Sequence, residues 1–158
     1  MNSQTNNPAL SPKSGNRRYI VVGLLFAATA INYIDRQMIG VLKPTLTKEF
    51  NWDEADFSYI VFWFQLAYAI GYLSFGKIVD KIGAKMGYIT AIIIWTASHM
   101  AHGFANNISQ FAAARFGLGI GEAGNFPAGI KAVTEWFPQQ ERAYAIGLFN
   151  AGANVGAI

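Results

Sequence analysis

Residues 115–129 read RFGLGIGEAGNFPAG, a stretch that fits two incompatible folds. Gly119-x-Gly121-x-x-Gly124, with the acidic Glu141 downstream, has the spacing of a dinucleotide-binding turn, which needs a buried strand leading in and a helix leading out. The same glycines along a helix would instead thin it so that neighbours pack closely. The approach decides between them. It reads Phe111-Ala-Ala-Ala-Arg115, which is helical in propensity, lacks β-branched residues and places a charge where a buried strand would have none. The nucleotide reading, and an oxidoreductase with it, therefore fails on context. Pro127 is expected to bend the helix.

Outward from this stretch the chain is too apolar for an ordinary soluble domain, with 53% hydrophobic, 15% aromatic and only 13% charged residues. The absence of cysteine excludes disulfides, thiolate metal sites and a thiol nucleophile. Apolar runs cover about residues 19–42, 57–75, 86–104, 109–132 and 143–158. The first four are each long enough to cross about 30 Å of hydrocarbon as a helix. A cleaved signal peptide ending at Ala28-Thr29-Ala30 is disfavoured, because the first run continues to Leu42 and further spans follow. The fifth run ends at Gly156-Ala157-Ile158 without turn, cap or polar flank, so a longer parent protein is expected. Residues 1–18 have almost nothing to bury and are expected to form a disordered tail.

Charge outside the spans orients the chain. Lys13, Arg17, Arg18, Lys77, Lys81, Lys85, Lys131 and Arg142 fall in the tail and in alternate loops. The opposite loops hold Lys43 and Lys48 beside Glu49, Asp53, Glu54 and Asp56. The positive-inside rule then makes the amino terminus cytoplasmic. Asp53 is placed to cap the second helix. Trp52, Trp136 and Phe137 read as interface anchors, and His99 and His102 as interfacial.

Charge inside the spans points to function. Asp35 and Arg36 lie in the first helix, and Arg115 and Glu122 in the fourth. Each would cost roughly 2.5 to 3.5 kcal/mol at mid-membrane, so they need partners or a water-filled cavity. Counted from helix ends at Leu42 and Ser109, Asp35 and Arg115 fall at nearly one depth. Glu122 then lies on Arg115's face, about 10 Å deeper. A structural reading makes these two buried salt bridges that fix packing. A functional one gives Arg the bidentate binding of a carboxylate ligand and gives the acids a proton to take up and release. Asn32 in the first helix, Gln65, Tyr68 and Tyr72 in the second, and Asn150 and Asn154 in the fifth extend the polar faces. They serve either substrate contact or interhelical hydrogen bonding.

Gly76-Lys-Ile-Val-Asp80-Lys81-Ile-Gly83-Ala-Lys85 resembles the loop motif of the major facilitator superfamily, G-x-x-x-D-[RK]-x-G-x-[RK]-[RK], departing from it only at Met86. Asn32-Tyr33-x-Asp35-Arg36 and Arg115-x6-Glu122-Ala-Gly-x-x-Pro127-Ala resemble the anion:cation symporter branch, and residues 127–142 are most similar to bacterial hexuronate transporters. The resemblance implies an all-α transmembrane fold, with residues 17–158 forming the first four and a half of twelve helices. It also implies proton coupling by Asp35 and Glu122, anion contact by Arg36, and a substrate site lined by Tyr68. Arg115 becomes the coupling switch, and Gly76, Asp80, Lys81, Gly83 and Lys85 a cytoplasmic gating element. Some hexuronate members lack the helix 1 acid, so sugar acids as a class are implied rather than one substrate.

The expected function is proton-coupled symport of an organic anion across a bacterial inner membrane, by a protein that is not an enzyme. No cofactor, metal or nucleic acid is expected as a partner, only the anion, protons, the lipid bilayer and the carboxyl-terminal half of the same transporter. In this mechanism protonation of Glu122 and Asp35 releases Arg36 and Arg115 to hold a substrate carboxylate. The alternative is a membrane sensor or receptor of the same fold that does not transport.

Overall fold

The computed structural model describes residues 15–157, and all regular structure among them is helical. The helices are α1 (Arg17–Phe50), α2 (Glu54–Ala101), α3 (Ile108–Ala123), α4 (Asn125–Trp136) and α5 (Arg142–Gly156). Of the expected tail, residues 1–14 lie outside the described residues, while Arg17 and Arg18 open α1. Two stretches, Arg17–Phe50 and Glu54–Phe104, are long and apolar enough to cross a membrane.

α1 outruns its apolar stretch by two turns. It passes through Lys43 and Pro44 to Phe50, because polar side chains at the end of a span do not interrupt the backbone ladder and Pro44 removes one donor only. Asn51 ends the helix in the left-handed region at φ 53°, which asparagine tolerates. Asp53 then caps α2 as its position predicts. Its Oδ1 accepts from Ala55 N at 2.8 Å and Asp56 N at 3.0 Å, while Asp56 returns a bond to Asp53 N at 3.1 Å.

The expected loop over residues 76–85 is helical apart from a single residue. Gly83, at φ 81° and ψ 164°, breaks the helix in a conformation that a side chain would strain. The two halves of α2 fold back there as antiparallel neighbours, with Val79 against Gly87 and Phe75 clustered with Ala91. A second break separates α3 from α4 at Gly124, three residues ahead of Pro127. Pro127 has no N–H to return to the Ala123 carbonyl, so the ladder fails on the amino-terminal side of the proline.

The glycines that imitate a nucleotide fingerprint are the packing surface of α3, which sits against both halves of α2. A Cβ at Gly119 would come within 2.6 Å of the Phe64 carbonyl oxygen, and one at Gly121 within 2.7 Å of Trp95 Cα. α5 packs on α1 in the same manner through Gly152 and Gly156.

Apolar clusters close the bundle at both ends. Leu46, Trp52, Phe57, Ile60, Ala105 and Phe111 fill one end, and Val22, Leu25, Ala84, Val133, Phe137 and Phe149 are central to the other. Trp52 and Phe137 are thus buried core residues rather than interface anchors. Trp52 stacks on Phe50 at 4.9 Å and meets Phe111 edge-on at 4.9 Å, while Trp136 is partly buried against the second cluster. The Phe137 end also gathers the basic residues of the tail and turns, with Arg18 to Glu141 at 3.0 Å and Lys131 to Asp80 at 3.1 Å.

Gly121→Leu should lower the thermal midpoint of the detergent-solubilised protein, through overpacking that costs about 1–3 kcal/mol. Gly147→Ala, whose new methyl meets nothing within 4 Å among the described residues, should leave it unchanged or slightly raised.

Candidate functional site

Between the two apolar ends lies one charged layer. Arg36 stands fourteen residues before the end of α1 at Phe50, and Glu122 fourteen residues after the start of α3 at Ile108. At about 1.5 Å per residue both lie about 21 Å from the same end of the bundle. They meet there. Arg36 Nε donates to Glu122 Oε2 at 2.8 Å, and Glu122 is 0% exposed.

This corrects the match of depths expected from sequence. Depth counted from Leu42 sets Asp35 level with Arg115, but the extra two turns of α1 lower Asp35 and Arg36 to the level of Glu122. Arg115 is 5% exposed, has no carboxylate within salt-bridge distance among the described residues, and lies 5.8 Å from the Phe64 ring centroid. Asp35 turns towards the second half of α2. Its Oδ2 accepts from the Trp95 indole N–H at 2.7 Å and lies 3.5 Å from His99 Nδ1.

Aromatic rings carry the Arg36 guanidinium. It lies 4.4 Å from the Tyr68 centroid and 4.9 Å from that of Tyr33, and the rings of Phe64, Tyr68 and Tyr72 continue the ladder down α2. Such contacts attract a planar cation without neutralising it. Tyr68 thus joins the cluster and Tyr72 flanks it, whereas Gln65 is exposed on the same helix. Asn32 is fully buried one turn from Arg36. Asn150 and Asn154 are exposed on α5 and form no hydrogen bond with the cluster among the described residues.

The layer keeps hydrogen-bonding capacity in reserve. Glu122 Oε1, Arg36 Nη2, Arg115 Nε and both amide atoms of Asn32 are buried without a hydrogen-bond partner among the described residues. Unpaired polar atoms of this kind are costly in a packed interior, which gives a polar ligand a return for entering. Chemically the arrangement offers a guanidinium whose carboxylate partner can be exchanged for another carboxylate. Among the described residues no group of three His, Cys, Asp or Glu side chains could hold a metal ion.

Five further participants carried no decisive signal in the sequence. Trp95 resembles core and His99 resembles an interfacial residue, yet both face Asp35. A polar chain also ties α1 to the break at Gly124: Asn125 donates to Thr29 Oγ1 at 3.0 Å and accepts from the Tyr88 hydroxyl. In the motif turn Asp80 pairs with Lys131 of α4, while Gly76 and Gly83 have nothing within 4 Å of an added Cβ.

The Major Facilitator Superfamily profile matches residues 25–158. The chain is 34% identical over 141 residues to the hexuronate transporter of Escherichia coli (strain K12), covering 89% of this chain and 33% of that protein. It is 34% identical to the galacturonate transporter of Dickeya chrysanthemi, over 89% of this chain and 41% of that one. With the D-galactonate transporter of Escherichia coli O6:H1 it shares 32% identity over 94% of this chain and 35% of that one. The chain therefore spans about a third of the length of the curated relatives it matches. Among solved structures it resembles the inward-facing, unoccupied form of a bacterial homologue of the human lysosomal transporter Spinster. The TM-score is 0.83 at 27% identity, over 90% of this chain and 30% of that one.

Removing one member of the buried pair should cost more than removing both. Arg36→Leu strands a dry carboxylate, and its loss of stability should be about 3 kcal/mol, partly restored in Arg36→Leu/Glu122→Gln. Thermal midpoints of the purified variants check this.

Proposed function

The chain belongs to the Major Facilitator Superfamily, and from that premise we propose that it is the amino-terminal part of a secondary transporter that carries a sugar acid, such as a hexuronate, together with protons. The observation that carries the reading is the Arg36–Glu122 pair, its acid fully buried and donors and acceptors unused around it. The sugar-acid transporters among its relatives supply the substrate class.

The proposed mechanism is an exchange of carboxylates on Arg36. While Glu122 is ionised it occupies the guanidinium. A proton on Glu122 cancels its charge and frees the Arg36 fork, whose Nη2 is already unpaired, for the carboxylate of the anion. Asn32 then supplies hydrogen bonds to substrate hydroxyls, with Gln65, Tyr68 and Tyr72 along α2 and Asn150 and Asn154 on α5 completing the contacts. Arg115, buried and without an ion pair, supplies the positive field that draws Glu122 and Asp35 back to the charged state once the anion has left. Transport follows when the bundle rocks against its carboxyl-terminal counterpart about this midplane site.

In this reading the Phe137 end, with its clustered basic residues, faces the cytoplasm of a bacterial cell, so that the tail is cytoplasmic and the membrane is the inner one. The turn at Gly83, with Gly76, Asp80, Lys81 and Lys85, acts as a cytoplasmic gate through the Asp80–Lys131 contact.

Reconstituted full-length protein should accumulate galacturonate or galactonate in response to an inward proton gradient. Glu122→Gln should abolish the accumulation, and Arg36→Lys, which loses the bidentate fork, should weaken apparent affinity by about tenfold or more. Gradient-driven accumulation that survives Glu122→Gln would contradict the reading.

A further inference from the structure

Asp35 and Glu122 are read alike from sequence, yet the fold sends them to different sides of α1. Glu122 is sealed against Arg36. Asp35 lines a cleft of about 310 Å³ between α1 and the second half of α2, with Ala28, Ile31, Trp95, Thr96 and His99 among its walls. The carboxylate side chain there is 14% exposed and the His99 side chain 39%. His99 therefore has one exposed edge and one buried edge. Its Nδ1 is buried without a hydrogen-bond partner and points at Asp35 Oδ2 from 3.5 Å, beyond hydrogen-bonding range for a resting contact and within reach of a small side-chain rotation. The Trp95 indole N–H fixes the same Oδ2 at 2.7 Å, which orients the carboxylate towards the imidazole.

We propose that His99 is a positioning and proton-exchange residue for Asp35, the two side chains holding one proton between them while Trp95 sets their orientation. The inference rests on the proton-coupled reading above. In the exchange the His99 Nδ1–H bond breaks and its proton passes to Asp35 Oδ2, which becomes a neutral carboxyl. The imidazolium becomes a neutral imidazole and is reprotonated by a hydronium ion from water entering the cleft.

The charges facing this pair from every packed element are few. From α1 comes Asp35 itself, with Arg36 one residue on and directed to the opposite flank. Just past the end of α2 comes His102, whose ring centroid is 6.2 Å from that of His99 and whose Nδ1 donates to the Ser98 carbonyl at 2.9 Å. From α3 come Arg115, buried and without an ion pair among the described residues, and Glu122, which is held by Arg36 at 2.8 Å. No lysine forms an ion pair with Asp35 among the described residues.

The experiment is the pH profile of galacturonate or galactonate uptake by reconstituted full-length protein, in wild type, His99→Gln and Trp95→Phe. Losing the imidazolium removes a cation that favours the ionised carboxylate. His99→Gln should therefore move the midpoint of the profile towards higher pH by about one unit, a tenfold change in proton concentration. Trp95→Phe should move it in the same direction by less. A His99→Gln profile that superimposes on wild type, or that falls by the same factor at every pH as a folding defect would, overturns the proposal. A wild-type protein whose uptake ignores the proton gradient overturns the coupled reading as well, and the two failures are told apart by the wild-type curve alone.

Discussion

The structure depends on where one ion pair is allowed to sit. Burying a guanidinium and a carboxylate is costly, and Arg36 and Glu122 offset that cost by meeting at 2.8 Å with the acid fully enclosed. That contact fixes the register of α1 against α3, since a shift of one helical turn on either would part the charges by about 5 Å. Everything near it serves the approach. The glycines of α3 let that helix close on both halves of α2, the turn at Gly83 brings the second half into place, and the break at Gly124 follows directly after the acid.

The pair is a means of holding energy in reserve as much as a source of stability. A bidentate guanidinium prefers two acceptor oxygens, and here Arg36 offers Nη2 to none while Glu122 keeps Oε1 unused. An apolar replacement of the whole pair would pack with less penalty. The persistence of unsatisfied polar atoms at the centre of an otherwise well-filled bundle agrees with a site whose best-satisfied state contains another molecule. In the proposed mechanism the two flanks of α1 divide the labour, with the anion on the Arg36 side and proton exchange on the Asp35 side.

Much of this was legible in the sequence, for reasons that can be stated residue by residue. Four charges inside apolar runs can be nothing but partners or ligands, so Asp35, Arg36, Arg115 and Glu122 announce themselves. The glycine spacing in residues 115–129 shows close packing once the strand it would need is seen to be missing. Which charge meets which was not legible. Depth depends on helix ends, and Lys43 and Pro44 look like an end where α1 in fact runs on to Phe50. The break at Gly124 rather than at Pro127 itself follows the proline's missing donor, which composition does not locate. His99 reads as interfacial and Trp95 as core, because an aromatic residue in a span carries no sign of a buried acid opposite it; only the fold shows Asp35 there.

The central claim is that an anion and a proton arrive at this site together, because the anion takes Arg36 only when Glu122 is neutral. Calorimetry of galacturonate or galactonate binding to the full-length protein, repeated near neutral pH in buffers of different ionisation enthalpy, counts the protons taken up on binding. The account predicts a net uptake approaching about one proton per anion in the wild type and a clearly smaller uptake in Glu122→Gln. Binding of the same affinity with no proton uptake in either protein would contradict it.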